Sequence, residues 1–569
     1  MPRGSLTPKQ GGGTAERGNV WIDDNTAIGK WTGAFTLNRL FPGNGDLGAS
    51  PQSSLARLGS LKIGPGPILS AVLAILALQN ILLWRFLNFV PGWFYAIATM
   101  LVGIVAWALA RTSPPHAHAT PEVDRQGPCL RRILLLACVA IVIFVLGGEG
   151  RFFYANADWQ VRDSVLRDLI VYPWPFAYRF DSQVELLRAP LGMYLLPAVV
   201  GKALGSTGAD LALLIQNSLL LTLLLGLGSM LFTTSRARIR ALVITVFFSG
   251  MDVIGQWLHA HVYGYPFPDH IERWAFTQYS SHITQAFWVP MHALSGWFGA
   301  VLFLLWREKR ISLGQMYAPV PLLMLMSPLG VMGTLPFAAY AGIVTLWKRD
   351  LKAGDILLPG MTTALTLPAI LYLGAGSGEV GLHFMPLPPI LYVIFELLEV
   401  IPFVAGAALI GRPSTGERAT LLLVAVCLLL LPWGQLGEGM DFTMRVSISA
   451  LAILSFQVAR AFDRAEADRS YHRPAGVMAV ILIIGSVTGG FEIVRALMHK
   501  PSPPVHCNLA TSIYQNVDLP KHASRATYFT AIDALPSIIR PQLSTMVSHE
   551  SAQCWERPWE VSRFADRGK

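Results

Sequence analysis

Long apolar runs constrain this chain more than any other feature of its sequence. After residue 60 much of it consists of runs of about 20 apolar residues, the length at which a helix crosses roughly 30 Å of hydrocarbon. Only 14% of its residues are charged, against about 25% in soluble domains. The runs therefore predict an all-α polytopic membrane protein with about thirteen transmembrane helices.

Composition divides the chain into four parts. Residues 1–60 are rich in Gly, Pro, Ser, Asn and Thr without sustained periodicity, which is typical of a disordered segment. Two spans and a basic linker occupy 61–131. The main transmembrane domain occupies 132–492 and includes a large loop at 149–208. The last part, 493–569, follows the final apolar run and is predicted to be a small tail domain.

Basic residues predict the orientation. The net charge of +9 reflects Lys and Arg that cluster between spans, and such clusters collect in the cytoplasmic loops of polytopic proteins. With the cluster at 235–240 in the cytoplasm, the N-terminus is cytoplasmic and the C-terminus is exoplasmic, like the 149–208 loop. This requires the short run at 191–205 to lie in the interface or re-enter rather than span, and the sequence leaves that alternative open.

Charge and composition also bear on partners and location. We interpret the positive charge as topology, suited to a lipid bilayer and an anionic lipid phosphate, rather than as a sign of nucleic-acid binding. The Ala-, Arg- and Gly-rich composition indicates a bacterium, where the membrane would be the inner membrane and exoplasmic would mean periplasmic. Cys507 and Cys554 both lie in the tail, and they could pair if the tail faces an oxidising compartment.

The 149–208 loop concentrates the residue types that carry chemistry. Asp158 follows the preceding span closely, so its carboxylate could lie near the headgroups and act as a general base. Glu149 lies nearer the end of the span and is a rival for that role. The simpler interpretation of the next two aspartates is structural, with the pairs Asp163–Arg162 and Asp168–Arg167.

Two motifs after the acidic stretch resemble a known class of protein. They read RAPLGMY at 188–194 and VGKALG at 200–205, and with the acidic loop they resemble the GT-C superfamily of integral-membrane glycosyltransferases. That class includes protein mannosyltransferases and aminoarabinose transferases. The resemblance implies that Asp158 is catalytic and that 191–205 is a juxtamembrane helix. This chain departs from the pattern in having Trp159 after the aspartate in place of a second acid, and in two additional N-terminal spans.

Three further motifs are similar to an uncharacterised bacterial membrane-protein branch of the same superfamily. They are NADW at 156–159 with RDL at 167–169, TQAFWVPMH at 284–292, and DFTMR at 441–445. The resemblance implies a glycosyltransferase that moves a sugar from a polyprenyl-phosphate donor to a glycan or lipid acceptor on the periplasmic face. The residues expected to bind donor or acceptor are Arg445, Arg188, Trp159, Asp163, His292, Gln285 and Asp441.

Several of these residues have simpler interpretations. Asp441 and Arg445 lie one helical turn apart and could pair with each other, although a guanidinium also suits a donor phosphate. The histidine-rich second loop, 259–284, could hold a divalent cation, but its spacing matches no metal motif and no metal ligand is assigned. His292 and Gln285 are interpreted as lining a polar cavity.

Two other functions remain open from the sequence. In a non-enzymatic transporter or flippase of lipid-linked glycans, the intramembrane carboxylates Asp252, Glu396 and Glu399 would be the coupling groups. An O-antigen polymerase or ligase would be expected to use arginines in a large exoplasmic loop in the second half of the chain, and the sequence has no loop of that size there.

Overall fold

The structure, a computed structural model, describes residues 62–111, 127–180, 182–264, 270–379, 381–437, 439–515 and 527–563. It is 69% helical, with 19 α-helices in the described part of the chain. Among these residues, 7 helices are long and apolar enough to cross a membrane, or 8 if a bent pair forms one span. This supports the predicted helical membrane architecture, whereas the count of about thirteen spans stays a prediction. Segment 1–60 lies outside the described residues.

The helices follow one another with short connections. In chain order they are α1 (Pro65–Leu87), α2 (Trp93–Arg111), α3 (Leu130–Leu146), α4 (Trp159–Val171), α5 (Gly192–Ser229), α6 (Ser235–Val246), α7 (Asp252–Tyr263), α8 (His282–Trp288), α9 (Pro290–Arg307), α10 (Leu313–Tyr317), α11 (Pro328–Trp347), α12 (Ala353–Gly374), α13 (Pro389–Glu399), α14 (Ile401–Leu409), α15 (Thr415–Leu430), α16 (Asp441–Val446), α17 (Ile448–Ala467), α18 (His472–Met498) and α19 (Leu509–Gln515). The bent pair is α13 and α14, which meet at 44°.

Arginine and lysine side chains collect at one end of the helices, which we call the basic end. Ion pairs join the helices there: Arg240 of α6 lies 3.0 Å from Glu466 of α17, and Arg460 of α17 lies 2.7 Å from Glu308, just after α9. The basic end comprises Arg131, Arg132, Arg236, Arg238, Arg240, Arg307, Lys348, Arg349, Arg412, Arg418, Arg460 and Arg464.

A four-stranded sheet lies at the other end. The hairpin of β1 (Phe176–Phe180) and β2 (Gln183–Leu187) belongs to the predicted loop, whereas β5 (Phe529–Ala531) and β6 (Thr545–Ser548) belong to the tail. The strand order is β5-β2-β1-β6, with β6 parallel to β1 and the other pairs antiparallel. We call residues 152–187 and 499–563 together the lobe. A second, two-stranded sheet pairs β3 (Leu382–Phe384) with β4 (Gly434–Leu436).

The break in α5 falls inside the segment whose placement the sequence left open. Gly205 has φ 78°, a left-handed conformation that only glycine adopts without strain, and it divides the helix into 192–204 and 206–229. The break therefore separates the predicted interfacial helix from a longer apolar stretch. The interfacial position of the first part stays a prediction.

A disulfide joins Cys507 and Cys554 within the lobe, a pairing that the sequence left open. Because a crosslink restricts the unfolded chain, replacing both cysteines with serine is expected to lower the free energy of unfolding of the tail by about 2–5 kcal/mol. The rate of proteolysis of the tail in detergent measures this, with the unpaired Cys138→Ser as control. Equal resistance of the double variant and the wild type would contradict the prediction.

Candidate functional site

Asp158 and Arg162 form an ion pair at the start of α4. The two side chains lie one turn apart, with Asp158 Oδ2 3.1 Å from Arg162 Nη2. The guanidinium is 4% exposed and also donates to the carbonyl of Trp288, whereas the Asp158 carboxylate is 40% exposed. Burial disfavours the charge of Arg162, but Asp158 and the nearby Tyr194 outweigh it and raise the pKa of the guanidinium. The pair thus presents a solvent-accessible carboxylate that is held in place by a buried guanidinium.

The predicted pairing of Arg162 with Asp163 is wrong. Asp163 forms no ion pair with Arg162 and lies 3.1 Å from Arg151, which also lies 2.6 Å from Asp210 of α5. Arg162 reaches Asp158, four positions earlier on the same face of the helix, while Arg151 takes up Asp163. Arg162 therefore pairs with Asp158.

Arg445 and Asp441 reach the same neighbourhood from far along the chain. They pair across one turn of α16 at 2.8 Å, which confirms the predicted pairing. Tyr528 of the lobe lies close enough to feel the charges of both pairs. Burial raises the pKa of Tyr528, while Arg162 and Arg445 oppose that rise. The first loop, α16 and the tail therefore meet at one place, which we call the tail-end site.

His292 of α9 completes the tail-end site. Its Nδ1 lies 2.6 Å from the hydroxyl of Ser327, and the charges of Arg162 and Arg445 both act on its ring. Three buried nitrogens of this site have no hydrogen-bond partner in the described chain: Nε of Arg162, Nε of Arg445 and Nε2 of His292. Buried polar atoms are nearly always paired, so three close together indicate a place that an anion can occupy.

Two of the predicted binding residues are buried and hydrogen-bonded within the protein. Trp159 is 3% exposed and its indole donates to the carbonyl of Phe287 at 2.9 Å. Gln285 is fully buried; it donates to the carbonyl of Ser280 at 2.7 Å and accepts from Trp297 at 2.9 Å. Their polar atoms thus hold α8 and α9 in place beside the site.

Arg188 supports the tail-end site through its backbone. Its N–H donates to the carbonyl of Tyr528 at 2.7 Å, and its guanidinium donates to the carbonyl of Leu373 at the end of α12 at 3.3 Å. Arg188 therefore fixes the tail against the helices where Tyr528 enters the site.

Asp168 binds the loop to the tail. Its carboxylate, fully buried, accepts from the hydroxyl of Tyr178 at 2.6 Å, the backbone N–H of Leu509 at 2.8 Å and Nη1 of Arg167 at 2.9 Å. The predicted pairing of Arg167 with Asp168 is confirmed. Asp168 joins α4, β1 and α19, so its role is structural.

Glu149, the rival base, lies in a different environment. It is 2% exposed and accepts from the amide of Asn217 of α5 at 2.8 Å. A base must come within hydrogen-bond reach of the proton it takes. The exposed carboxylate of Asp158 meets that requirement better than the enclosed one of Glu149.

The second loop holds a buried acid–imidazole chain. His270 lies 3.5 Å from Glu272 through Nε2 and 3.3 Å from Glu492 through Nδ1. The two carboxylates approach opposite nitrogens of the ring, so they do not converge on one point. In the described part of the chain, no group of three or more His, Cys, Asp or Glu side chains is arranged to hold a metal ion. A divalent cation therefore stays only a possibility raised by the sequence.

Two acids lie at breaks within the helices. Asp252 accepts from Ser249 at 2.8 Å and from Thr488 of α18 at 3.1 Å. Glu399, 1% exposed at the bend between α13 and α14, lies beside Asp252 and against Gly250. A Cβ at position 250 would come within 1.6 Å of the Glu399 carboxylate, so a larger residue there would require that carboxylate to move. Glu396, one turn earlier, is also buried, at 2% exposed.

Sequence reasoning missed three residues of the tail-end site. Arg162 was detectable, since it lies four positions after Asp158 at the start of a polar helix. Tyr194 and Tyr528 carried no local signal. Tyr528 in particular reaches the site only because β5 pairs with β2 across the long separation between tail and loop.

The chain was compared with known proteins, and no family model, no curated protein and no solved structure matches it.

Two buried carboxyls of the lobe should make its stability depend on pH. Burial raises the pKa of Asp163 to about 6, against the opposing charge of Arg151, and burial raises the pKa of Asp168 to about 6, against its three donors. Both carboxyls bind protons more tightly in the folded protein than in the unfolded chain. Their contribution to the free energy of unfolding is therefore complete below about pH 4 and is lost as the pH rises through about 6. Unfolding temperatures in detergent should fall between pH 5 and 7, and less so in Asp163→Asn. A rise over that range would contradict the assignment.

Proposed function

We propose that this chain is a GT-C-type membrane glycosyltransferase that transfers a sugar from a polyprenyl-phosphate donor to a glycan or lipid acceptor. The observation that carries the proposal is the composition of the tail-end site. The exposed carboxylate of Asp158 lies in the same site as the buried guanidinium of Arg162, the partly buried guanidinium of Arg445 and the imidazole of His292. Nε of each arginine and Nε2 of His292 have no hydrogen-bond partner in the described chain. Attack of an acceptor hydroxyl on a lipid-phosphate sugar requires a base next to groups that can hold the anionic phosphate.

Each group has a defined role in this reaction. Asp158 accepts the proton of the acceptor hydroxyl, whose oxygen forms the new bond to the anomeric carbon. The bond from that carbon to the phosphate oxygen breaks, and the polyprenyl phosphate leaves with the electron pair. Arg445 and Arg162 stabilise the charge on the leaving phosphate, because guanidinium groups donate two hydrogen bonds to one phosphate. Asp441 and Tyr528 orient Arg445 and close the site.

The sidedness of the reaction follows from charge. The basic end of the helices would lie in the cytoplasm by the positive-inside bias, so the lobe and the tail-end site would lie on the periplasmic face of a bacterial inner membrane. A disulfide within the lobe supports an oxidising compartment on that side.

A non-enzymatic transporter of lipid-linked glycans is the second candidate. It is favoured by the buried acids Asp252 and Glu399, which lie at helix breaks, and by the buried Glu396 one turn before Glu399. Ionisable groups at such depth usually serve ion or substrate pathways. In that case Asp252→Asn would abolish function and Asp158→Asn would not.

The test is sugar transfer by the purified full-length protein in proteoliposomes. A panel of undecaprenyl-phosphate sugars, each with a radiolabelled sugar, is supplied with membrane extracts as acceptor. The proposal predicts that the protein consumes at least one donor and moves its label to a new acceptor. Consumption of no donor in the panel, by protein that is folded by thermal unfolding, would contradict it.

A further inference from the structure

A cavity of about 430 Å³ runs between helices from the basic end, where Cys129 and Ser235 line it, to α8, where Ile283 and Ala286 line it. Its walls come from α3, α5, α6, α8, α9 and α17, and most of them are apolar, with Leu135, Leu224 and Val301 among the lining residues. The cavity falls in the size range of small-molecule sites, which are mostly apolar with a few polar groups. Its mostly apolar lining therefore suits an aliphatic chain.

The polar side of this cavity is cationic. Arg131, Arg132 and Arg238 line it together with Ser235. Arg131 and Arg132 stand in the first turn of α3, beside the loop that leads into α6. An occupant therefore needs a negatively charged head and an apolar tail.

Arg131 and Arg132 differ from Arg236 and Arg240 in their partners. Arg236 and Arg240 both lie 3.0 Å from carboxylate oxygens of Glu466. Arg131 and Arg132 form no ion pair with any carboxylate of the described chain. The charges of Arg131 and Arg132 at the cavity are thus not neutralised by a carboxylate of the described chain.

We propose that the cavity binds one anionic phospholipid from the leaflet at the basic end, with its phosphate on the arginines and an acyl chain in the apolar part. Basic pockets between transmembrane helices bind anionic headgroups in this way. The glycosyl donor is not a suitable occupant, because its phosphate would then lie at the opposite end of the helices from Asp158. The proposal does not depend on the reaction assigned to the tail-end site.

Native mass spectrometry of the full-length protein tests the proposal. The protein, stripped of lipid in detergent, is incubated with phosphatidylglycerol or with phosphatidylcholine of the same chains. We expect one phosphatidylglycerol to be retained in preference to phosphatidylcholine. Each arginine near a lipid surface contributes enough that Arg131→Ala with Arg132→Ala should weaken retention about 30-fold.

The matched control is Arg412→Ala with Arg418→Ala, which removes the same charge from the basic end but not from the cavity. This control should retain phosphatidylglycerol like the wild type. Equal retention of the two lipids by the wild type, or an equal loss in both double variants, would overturn the proposal. So would preferential retention of undecaprenyl phosphate over phosphatidylglycerol. The wild-type comparison decides the matter even if the Arg131 and Arg132 variant does not fold.

Discussion

Asp158→Asn is expected to lower the rate of sugar transfer by about 10²–10⁴-fold, the contribution typical of a general base. The amide keeps the shape of the side chain and cannot accept the proton of the acceptor hydroxyl. Because the carboxylate is 40% exposed, its loss leaves no deeply buried group unpaired except one nitrogen of Arg162. The variant should therefore fold, and its defect should be in kcat rather than in binding of the donor.

The measurement is the initial rate of transfer at saturating donor, with the unfolding temperature recorded for each protein. Asp533→Asn is the matched control, since Asp533 is 86% exposed on the lobe and pairs with Arg540 at the surface. Its rate should equal that of the wild type. If Asp158→Asn transfers sugar at the wild-type rate, Asp158 is structural and the site assignment is wrong.

Asp168→Ala is expected to destabilise the attachment of the tail to the loop by about 3–5 kcal/mol, the cost of removing one partner from a buried ionic cluster. Three donors, from Tyr178, Leu509 and Arg167, lose their common acceptor, and two of them are buried backbone or phenol groups. Since these donors belong to β1, α19 and α4, the loss should release the tail rather than melt the transmembrane helices.

Limited proteolysis measures that release directly. The tail of Asp168→Ala should be cut faster than that of the wild type, whereas Asp168→Asn, which keeps one acceptor, should fall between them. Asp533→Ala, a change in an exposed surface pair, should have little effect. A tail of Asp168→Ala as resistant as that of the wild type would show that the strand pairing alone holds the lobe.

The helical architecture could be predicted because it depends on local composition. Runs such as 65–87 and 353–374 are long and apolar, and helices are the form in which a single apolar run satisfies its own backbone. The lobe could not be predicted in the same way. Its strands have only 3–5 residues, and half of them come from the tail, so the sheet exists only through pairing between distant segments.

Only those residues of the tail-end site that belong to local sequence motifs could be predicted. Asp158 and the pair Asp441–Arg445 could be recognised from local motifs, and the structure brings them together. Tyr528 could not, because its position depends on β5 joining β2. Trp159 and Gln285 were assigned to binding by their motifs, but burial turns their polar atoms to neighbouring carbonyls, and burial cannot be read from a motif.

The most direct test of the central proposal follows a donor labelled on both its sugar and its lipid in sealed proteoliposomes. A transferase separates the two labels: the sugar label moves to the acceptor and the lipid label stays in polyprenyl phosphate. We expect that separation with the wild type and not with Asp158→Asn. If both labels instead cross the bilayer together, and Asp252→Asn rather than Asp158→Asn prevents it, the protein transports the lipid-linked sugar and the transferase proposal fails.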